Sequence, residues 1–251
     1  MATSQQELLR HSPGWLEGHF RATPPYIPKL LAPSRRAVRS IRFNDDVPVI
    51  FQLVTVLGAC TGLRNLVLNV SLGPEGLQAL SHLNQLCRLE LVADGINLLY
   101  EDPAPVFPCI THLKLMVSKD RSEADYSDLE KLPRLFPRLT HFAHCSPPTQ
   151  PAVNVLQRAY AQMPLPLECI VFLSAQSLVP KKALFPEDDP RFVCVVFDID
   201  YRLDWLRGAD TGDDYWRVVD GFIKAKRAGV IDRTCTEVVL SAYEYVAPPQ
   251  L

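Results

Sequence analysis

Apolar residues recur along the chain in one local pattern: an apolar residue, two variable positions, a second apolar residue, one variable position and a third apolar residue. The copies begin at Val38, Leu63, Leu86, Ile110, Leu139, Leu167, Phe192 and Cys235. Successive copies start 25, 23, 24, 29, 28, 25 and 43 residues apart. Six of these seven intervals have the length of a short strand–helix repeat, so the pattern predicts a repeat architecture.

Each predicted repeat combines two periodicities. The apolar triplet alternates as in a strand with one buried face, and the segments between triplets have helical spacing. Helical segments are predicted at Ile50–Leu57, at Leu77–Leu83 behind Pro74, and at Val153–Met163 behind Pro151. Neither element can bury its apolar face alone, so stacked copies would share one core and curve. The prediction is an α/β leucine-rich-repeat solenoid, a curved arc with parallel strands on the concave face and helices on the convex face.

A doubly wound α/β domain is the alternative, because its strands and helices also alternate. The prolines favour the solenoid. Pro108, Pro137, Pro166 and Pro190 precede successive triplets at nearly one repeat phase, where proline ends a helix and favours an extended approach.

The pattern also predicts the domain organisation. Residues 1–37 form a proline-rich lead-in, extended or partly disordered, and residues 38–246 form the repeat domain. A helix over 213–229 closes that domain as a C-terminal cap, because Asp213 and Asp214 stand before an apolar stripe and Gly229 stands after it. Residues 247–251 are a frayed tail.

Composition indicates an ordinary globular chain. Its 251 residues are 47% apolar and 22% charged with a net charge of -2, and no apolar run is long enough for a membrane span. The first twenty residues lack the apolar stretch of a secretory signal, and the seven cysteines form no Cys-x-x-Cys pair. We therefore expect reduced thiols, a cytoplasmic or nuclear location, and neither a membrane nor a nucleic acid as partner. We also expect a monomer.

The chain resembles the leucine-rich-repeat region of the F-box-like proteins of mushroom-forming (basidiomycete) fungi. The resemblance covers about residues 38 to 246 and rests on the run from Ala59 to Leu66, on the Phe-Pro-x-Leu/Ile-Thr-His runs at Phe107–His112 and Phe136–His141, and on the acidic stretch before Trp216. It implies a substrate-recognition role in an F-box-type ubiquitin ligase adaptor. In that family an F-box binds a Skp-type adaptor and its cullin. The residues before Val38 lack the opening motif of a recognisable F-box, so this sequence does not itself predict those two partners.

Variable positions of the first four triplets would lie together on the concave face. They are rich in arginine, which can bind carboxylates through two parallel hydrogen bonds. The predicted partner is therefore a protein with an acidic segment; a solvated rim of charges without a partner is the alternative. The predicted contact residues are Arg39, Arg42, Arg64, Asn65, Arg88, Glu90, His112 and Lys114.

Enzyme chemistry is weakly indicated. Asp198 and Asp200 follow an apolar strand and could share a divalent metal, which would make the chain a metal-dependent enzyme. His112 and His141 occupy one repeat phase, with His144 close by, but exposed histidines are the favoured interpretation. The sequence therefore predicts no catalytic residue, no metal and no cofactor. The leading hypothesis is a non-enzymatic protein–protein interaction module, and a degenerate family member without present function is a third possibility.

Overall fold

A single parallel sheet organises the chain. The computed structural model describes residues 15–17, 40–43, 54, 57–68, 74–92, 106–116, 129–130, 132–161, 167–175, 185–186, 189–197, 204, 208 and 212–240. Within them, the sheet has nine strands, and every neighbouring pair is parallel. The strands are β1 Trp15–Glu17, β2 Ser40–Phe43, β3 Asn65–Leu68, β4 Arg88–Val92, β5 His112–Met116, β6 His141–Cys145, β7 Cys169–Ala175, β8 Phe192–Phe197 and β9 Glu237–Leu240.

Four helices lie within the described residues. They are α1 Pro74–Ser81, α2 Leu132–Leu135, α3 Gln150–Ala161 and α4 Tyr215–Arg227. The sequence predicts α1 and α3 correctly from their apolar spacing, and Pro74 opens α1 in the first turn, where its missing N–H is not needed. Of the helix predicted at Ile50–Leu57, only Val54 and Leu57 are described, and both are helical. Within the described helices, none is long and apolar enough to cross a membrane.

The strand order runs from β1 to β9 without reversal. A doubly wound sheet reverses its order at a central switch point and carries helices on both sides of that point. No such reversal exists among the described strands, so the doubly wound alternative is wrong for this sheet. In this open sheet, each described strand pairs with the described strands that come before and after it in the chain.

The strand register follows the predicted repeat from β2 to β7, and β1 extends the same register by one strand. Residues 15, 40, 65, 88, 112, 141 and 169 are successive register partners. The sheet thus begins at Trp15, inside the segment predicted as a lead-in without repeats. β1 has three residues, which is too short to show an alternating pattern in the sequence.

The predicted phase of the last two triplets is wrong. The sequence pattern aligns Ile170 with Val195, whereas in the structure Ile170 pairs with Phe192 and Val171 with Val193. Val195 therefore points to the other face of the sheet, because successive residues of a strand alternate between faces. β8 is apolar at all six positions and buried at five, so its sequence contains no alternation that could fix the phase.

The two faces of the sheet are covered differently. The helix face, which packs against α1, α2 and α3, presents the apolar residues Leu66, Leu89, Leu113, Phe142, Ile170 and Phe192 to one large core. The other face, called the α4 face below, presents Asn65, Arg88, His112, His141, Cys169 and Val193. A second, smaller cluster forms there between the later strands and α4.

Helix α4 differs from the predicted cap in where it lies. Its bounds agree with the prediction, and Gly229 follows the C-cap residue Ala228 with a φ of 71°. However, α4 packs on a face of the sheet, and the last strand, β9, follows it in the chain and extends the sheet beyond β8. The amphipathic pattern predicts that a helix forms here, but it does not specify which surface the helix covers.

Candidate interaction face

The predicted contact residues of the middle strands lie under the chain's own helix. Arg88 and Glu90 of β4 and His112 and Lys114 of β5 all point to the α4 face, as alternate positions of neighbouring strands must. The N-terminal half of α4 lies over this polar part of the face. An acidic segment does contact the arginine-bearing face, but it belongs to this chain.

Arg88 binds the residue that precedes α4. Its Nη1 atom lies 2.7 Å from Oδ2 of Asp214 and donates a second hydrogen bond, of 3.3 Å, to the carbonyl oxygen of Gly208. The Asp214 side chain is almost fully buried, whereas a quarter of the Arg88 side chain is exposed. A Cβ atom at position 208 would overlap the Asp214 side chain, so this approach requires glycine. The contact thus fixes the start of α4 against β4.

Glu90 and Lys114 form a buried ion pair on the adjacent strands. Their side chains are 3% and 6% exposed, and Lys114 Nζ lies 3.1 Å from Oε1 of Glu90. The Lys114 ammonium balances the charge of the Glu90 carboxylate, although Oε1 forms no hydrogen bond within the described part of the chain. The sequence predicts both residues as contacts for an outside partner; their burial makes them part of the structure beneath α4.

Two histidines stack on each other under Trp216. The rings of His112 and His141 have centroids 4.1 Å apart and are tilted by 10°. Trp216 meets both rings edge-on, at centroid distances of 5.4 and 5.5 Å. The repeat phase correctly places these histidines on neighbouring strands. Their predicted exposure is wrong, because α4 covers them: His141 is 6% exposed and His112 is half-buried.

His141 also binds α4 through a carboxylate. Its Nε2 atom lies 3.0 Å from Oδ1 of Asp220, and its Nδ1 atom lies 2.7 Å from Oγ1 of Thr140. A carboxylate oxygen only accepts, so Nε2 carries the proton and, in the neutral ring, Nδ1 accepts from the threonine hydroxyl. The third predicted histidine, His144, points to the helix face instead and lies between Phe142 and Phe172.

Burial shifts the pKa values of His112 and Asp214 in opposite directions. The pKa of His112 falls from 6.5 to about 2, first because burial disfavours the imidazolium, and then because His141 and Arg88 repel it. The pKa of Asp214 rises to about 6, because burial and the nearby Asp204 carboxylate outweigh the attraction of Arg88. Both effects favour the neutral forms of these two groups while α4 is docked.

The C-terminal half of α4 lies on an apolar surface. Val219 and Ile223 pack with the small and branched residues of β6, β7 and β8 in the second hydrophobic cluster. Tyr215, at the other end of α4, also contacts this surface, with its ring 5.7 Å from that of Phe197. Lys226 is buried with its ammonium 5.7 Å from the centroid of the Phe222 ring. The α4 face thus changes from polar to apolar along the sheet, and α4 covers both parts.

The remaining predicted residues are spread out. Arg64 is exposed just before β3, and Asn65 is buried within that strand. Arg39 and the side chain of Arg42 lie outside the described residues, as do Asp198 and Asp200. Among the described His, Cys, Asp and Glu side chains, no group of three or more could hold a metal ion. The structure thus brings four of the eight predicted contact residues together, under α4.

Sequence reasoning missed the residues of α4 that complete this face: Asp214, Trp216 and Asp220. The charge distribution along the chain does not single them out. Residues 1–44 have a net charge of +5 and residues 186–220 a net charge of -6, and both Asp214 and Asp220 belong to the acidic stretch. Their partners, Arg88 and His141, lie outside residues 1–44.

Comparison with known proteins assigns no family. The sequence matches no protein-family model, and a search of curated proteins found no similar one.

Proposed function

We propose that the chain is a non-enzymatic protein–protein interaction module built as a leucine-rich-repeat arc. The strand order supports this most directly, because nine parallel strands follow one another in chain order. The crossover helices α1, α2 and α3 all pack on one side of them. Such quasi-one-dimensional folds have extended surfaces that are suited to recognising proteins. The sequence resemblance extends the proposal to the substrate-recognition part of an F-box-type ubiquitin ligase adaptor.

The charged positions near β3 and β4 are the proposed contact for an acidic segment of the partner. Arg64 is fully available, and Arg88 keeps a quarter of its side chain exposed while it binds Asp214. Arginine at such positions binds carboxylates with two hydrogen bonds and a defined geometry. Glu90, His112 and Lys114 are covered by α4 and contribute to this contact only if α4 moves.

A capture experiment with matched charge reversals tests the proposal. Three tagged chains are incubated with a fungal extract, and the bound proteins are quantified by mass spectrometry. The chains are the wild type, an Arg64→Glu/Arg88→Glu variant and an Arg134→Glu/Arg138→Glu control. Arg134 and Arg138 are exposed and lie at α2 and just after it, so the control has the same charge change elsewhere on the fold.

We expect a defined set of proteins, in which a Skp-type adaptor and a cullin are looked for, to bind the wild type and the control but not the Arg64/Arg88 variant. Circular dichroism confirms that all three chains fold. An identical set of bound proteins for all three would contradict the proposal. An Asp198→Asn/Asp200→Asn variant separates the enzyme alternative. It should bind the same proteins as the wild type if the chain is an interaction module, and it should lose metal-dependent turnover if the chain is an enzyme.

A further inference from the structure

We infer that the α4 face is a binding surface for an acidic amphipathic helix, and that α4 is the intramolecular occupant of this surface. The inference deepens the proposed function and rests on it, because it states what kind of partner the module recognises. It also states what covers the binding surface when the partner is absent.

The contacts of α4 define the chemistry of such a partner. Asp214 binds Arg88 of β4, Trp216 meets the stacked histidines of β5 and β6, and Asp220 binds His141. Trp216, Val219, Asp220 and Ile223 are spaced as one face of a helix, which is how helices bind in grooves. A partner helix therefore needs a carboxylate before its first turn, a tryptophan two positions later, a second carboxylate six positions after the first, and an apolar stripe between and beyond them.

The polar part of the α4 interface is incompletely satisfied. Asp214 Oδ1 and the Tyr215 hydroxyl are buried without a hydrogen-bond partner within the described residues, and Glu90 Oε1 has only its ion pair with Lys114. All three atoms belong to this interface or the face beneath it. Buried polar atoms in this state favour any arrangement that restores their hydrogen bonds. Movement of α4 away from the sheet exposes these atoms to water, which offsets part of the stabilisation that Arg88 and His141 give to the docked helix.

The tether explains why α4 occupies the surface in the absence of a partner. An intramolecular segment has an effective concentration in the millimolar range when its linker spans the distance comfortably. A free helix of the same sequence would also have to form a helix on binding, which is unfavourable for a segment of this length. A partner must therefore bind more strongly than α4, through the same carboxylate and tryptophan positions and additional contacts.

A synthetic peptide with the sequence of residues 212–229 is the probe. The receptor is the full chain carrying Asp214→Ala and Trp216→Ala, so that its own α4 no longer makes two of its contacts. Isothermal titration calorimetry should detect saturable binding of the peptide to this variant. Addition of Arg88→Glu to the same variant should weaken that binding by about tenfold or more, because the peptide carboxylate loses its partner. A scrambled peptide of identical composition is the control.

Absence of binding to a receptor that keeps a folded circular dichroism spectrum would overturn the inference, and so would binding that Arg88→Glu leaves unchanged. If the receptor variant does not fold, the wild-type chain is used instead. Excess peptide should then accelerate amide hydrogen exchange in α4 and leave exchange in α3 unchanged, whereas unchanged exchange in α4 would overturn the inference.

Failure of this inference and failure of the proposed function would give different results. Loss of partner capture in the Arg64→Glu/Arg88→Glu variant, together with failure of the peptide experiment, would retain the interaction module and reject only α4 as its occupant. Peptide binding without any captured partner would reject the module's proposed function while retaining the binding surface.

Discussion

The same strands present apolar side chains on one face of the sheet and mostly polar side chains on the other, and both sets are buried. On the helix face, Leu113, Phe142 and Ile170 are fully or almost fully buried among the side chains of three crossover helices. On the α4 face, the same strands present Lys114, His141 and Cys169, and one helix from the C-terminal region covers them. The helix face is built by the repeat itself, whereas the α4 face is filled by a segment outside the repeat.

This difference has an energetic consequence. Burial of hydrocarbon is favourable without any requirement for direction, whereas buried charges and imidazoles need partners with good geometry. Within the described residues, the helix face buries one polar side-chain atom without a hydrogen bond, the Tyr160 hydroxyl, whereas three such atoms lie at the α4 interface. We therefore expect α3 to unfold only together with the core, and α4 to detach from the sheet at a lower free-energy cost.

The largest effect is expected from truncation of the helix face. Phe142 is fully buried and lies 5.9 Å from the ring of Tyr160 on α3. Phe142→Ala should lower the free energy of unfolding by about 3–5 kcal/mol, because it removes a large apolar side chain and leaves a cavity. Urea denaturation followed by circular dichroism measures this. Val218→Ala on the exposed side of α4 is the control, and a comparable loss there would contradict the assignment of the core.

Charge reversal at Arg88 should have the next largest effect, confined to the α4 face. Arg88→Glu places two carboxylates together in a partly buried site and should cost about 2–3 kcal/mol, less than a fully buried pair because Arg88 is partly exposed. The change should mainly release α4. Asp214→Arg added to Arg88→Glu should restore part of the loss, and a double variant no more stable than the single one would contradict the pairing.

Acid should reveal two opposing titrations on the α4 face. The pKa of His112 is about 2 in the folded chain and 6.5 when unfolded, so its contribution is complete above pH 6.5 and is lost as pH falls below that value. The pKa of Asp214 is about 6 in the folded chain and 3.8 when unfolded, so its contribution is complete below pH 3.8 and is lost as pH rises through 6.

Between pH 6 and 4 these two contributions cancel in the wild type, and single variants separate them. Asp214→Asn should become less stable with acid, by at most about 1.4 kcal/mol per pH unit, and His112→Gln should become more stable with acid over the same range. Urea denaturation at a series of pH values measures both slopes. Parallel pH profiles for the two variants would contradict the assignment.

Two glycine substitutions should have effects of opposite sign. Gly208→Ala places a Cβ atom against the Asp214 side chain and should cost about 1–3 kcal/mol through overpacking. Gly221→Ala lies in α4 with open space around the new Cβ atom and should stabilise the helix by about 0.5–1 kcal/mol. Thermal denaturation compares the two variants, and stabilisation by Gly208→Ala would contradict the close approach at Asp214.

The sequence predicts the helix face well because that face follows a rule of alternation. The triplet at Leu63, Leu66 and Leu68 has every apolar position buried, and the same is true at Ile110, Leu113 and Leu115. The alternation rule fails at β8, because a strand that is apolar at every position can place either set of alternate residues on the helix face. β1 is missed because three residues contain too little pattern.

The α4 face could be predicted only in part. Its strand residues follow from the repeat, so Arg88, Glu90, His112 and Lys114 are correctly grouped. The repeat pattern does not predict that α4 covers these residues, because an amphipathic helix fits any apolar surface of the right width. The choice of surface depends on tertiary pairs such as Arg88 with Asp214, which are 126 residues apart and leave no local signal in the sequence.

Amide hydrogen exchange of the wild-type chain near neutral pH tests the central claim most directly. The amides of α4, residues 215–227, should exchange through local opening at a lower free energy than those of α3, residues 150–161. Arg88→Glu should accelerate exchange in α4 alone. Exchange of both helices at the same free energy, with Arg88→Glu accelerating them equally, would mean that α4 is part of one cooperative core and would contradict its role as a separately opening helix.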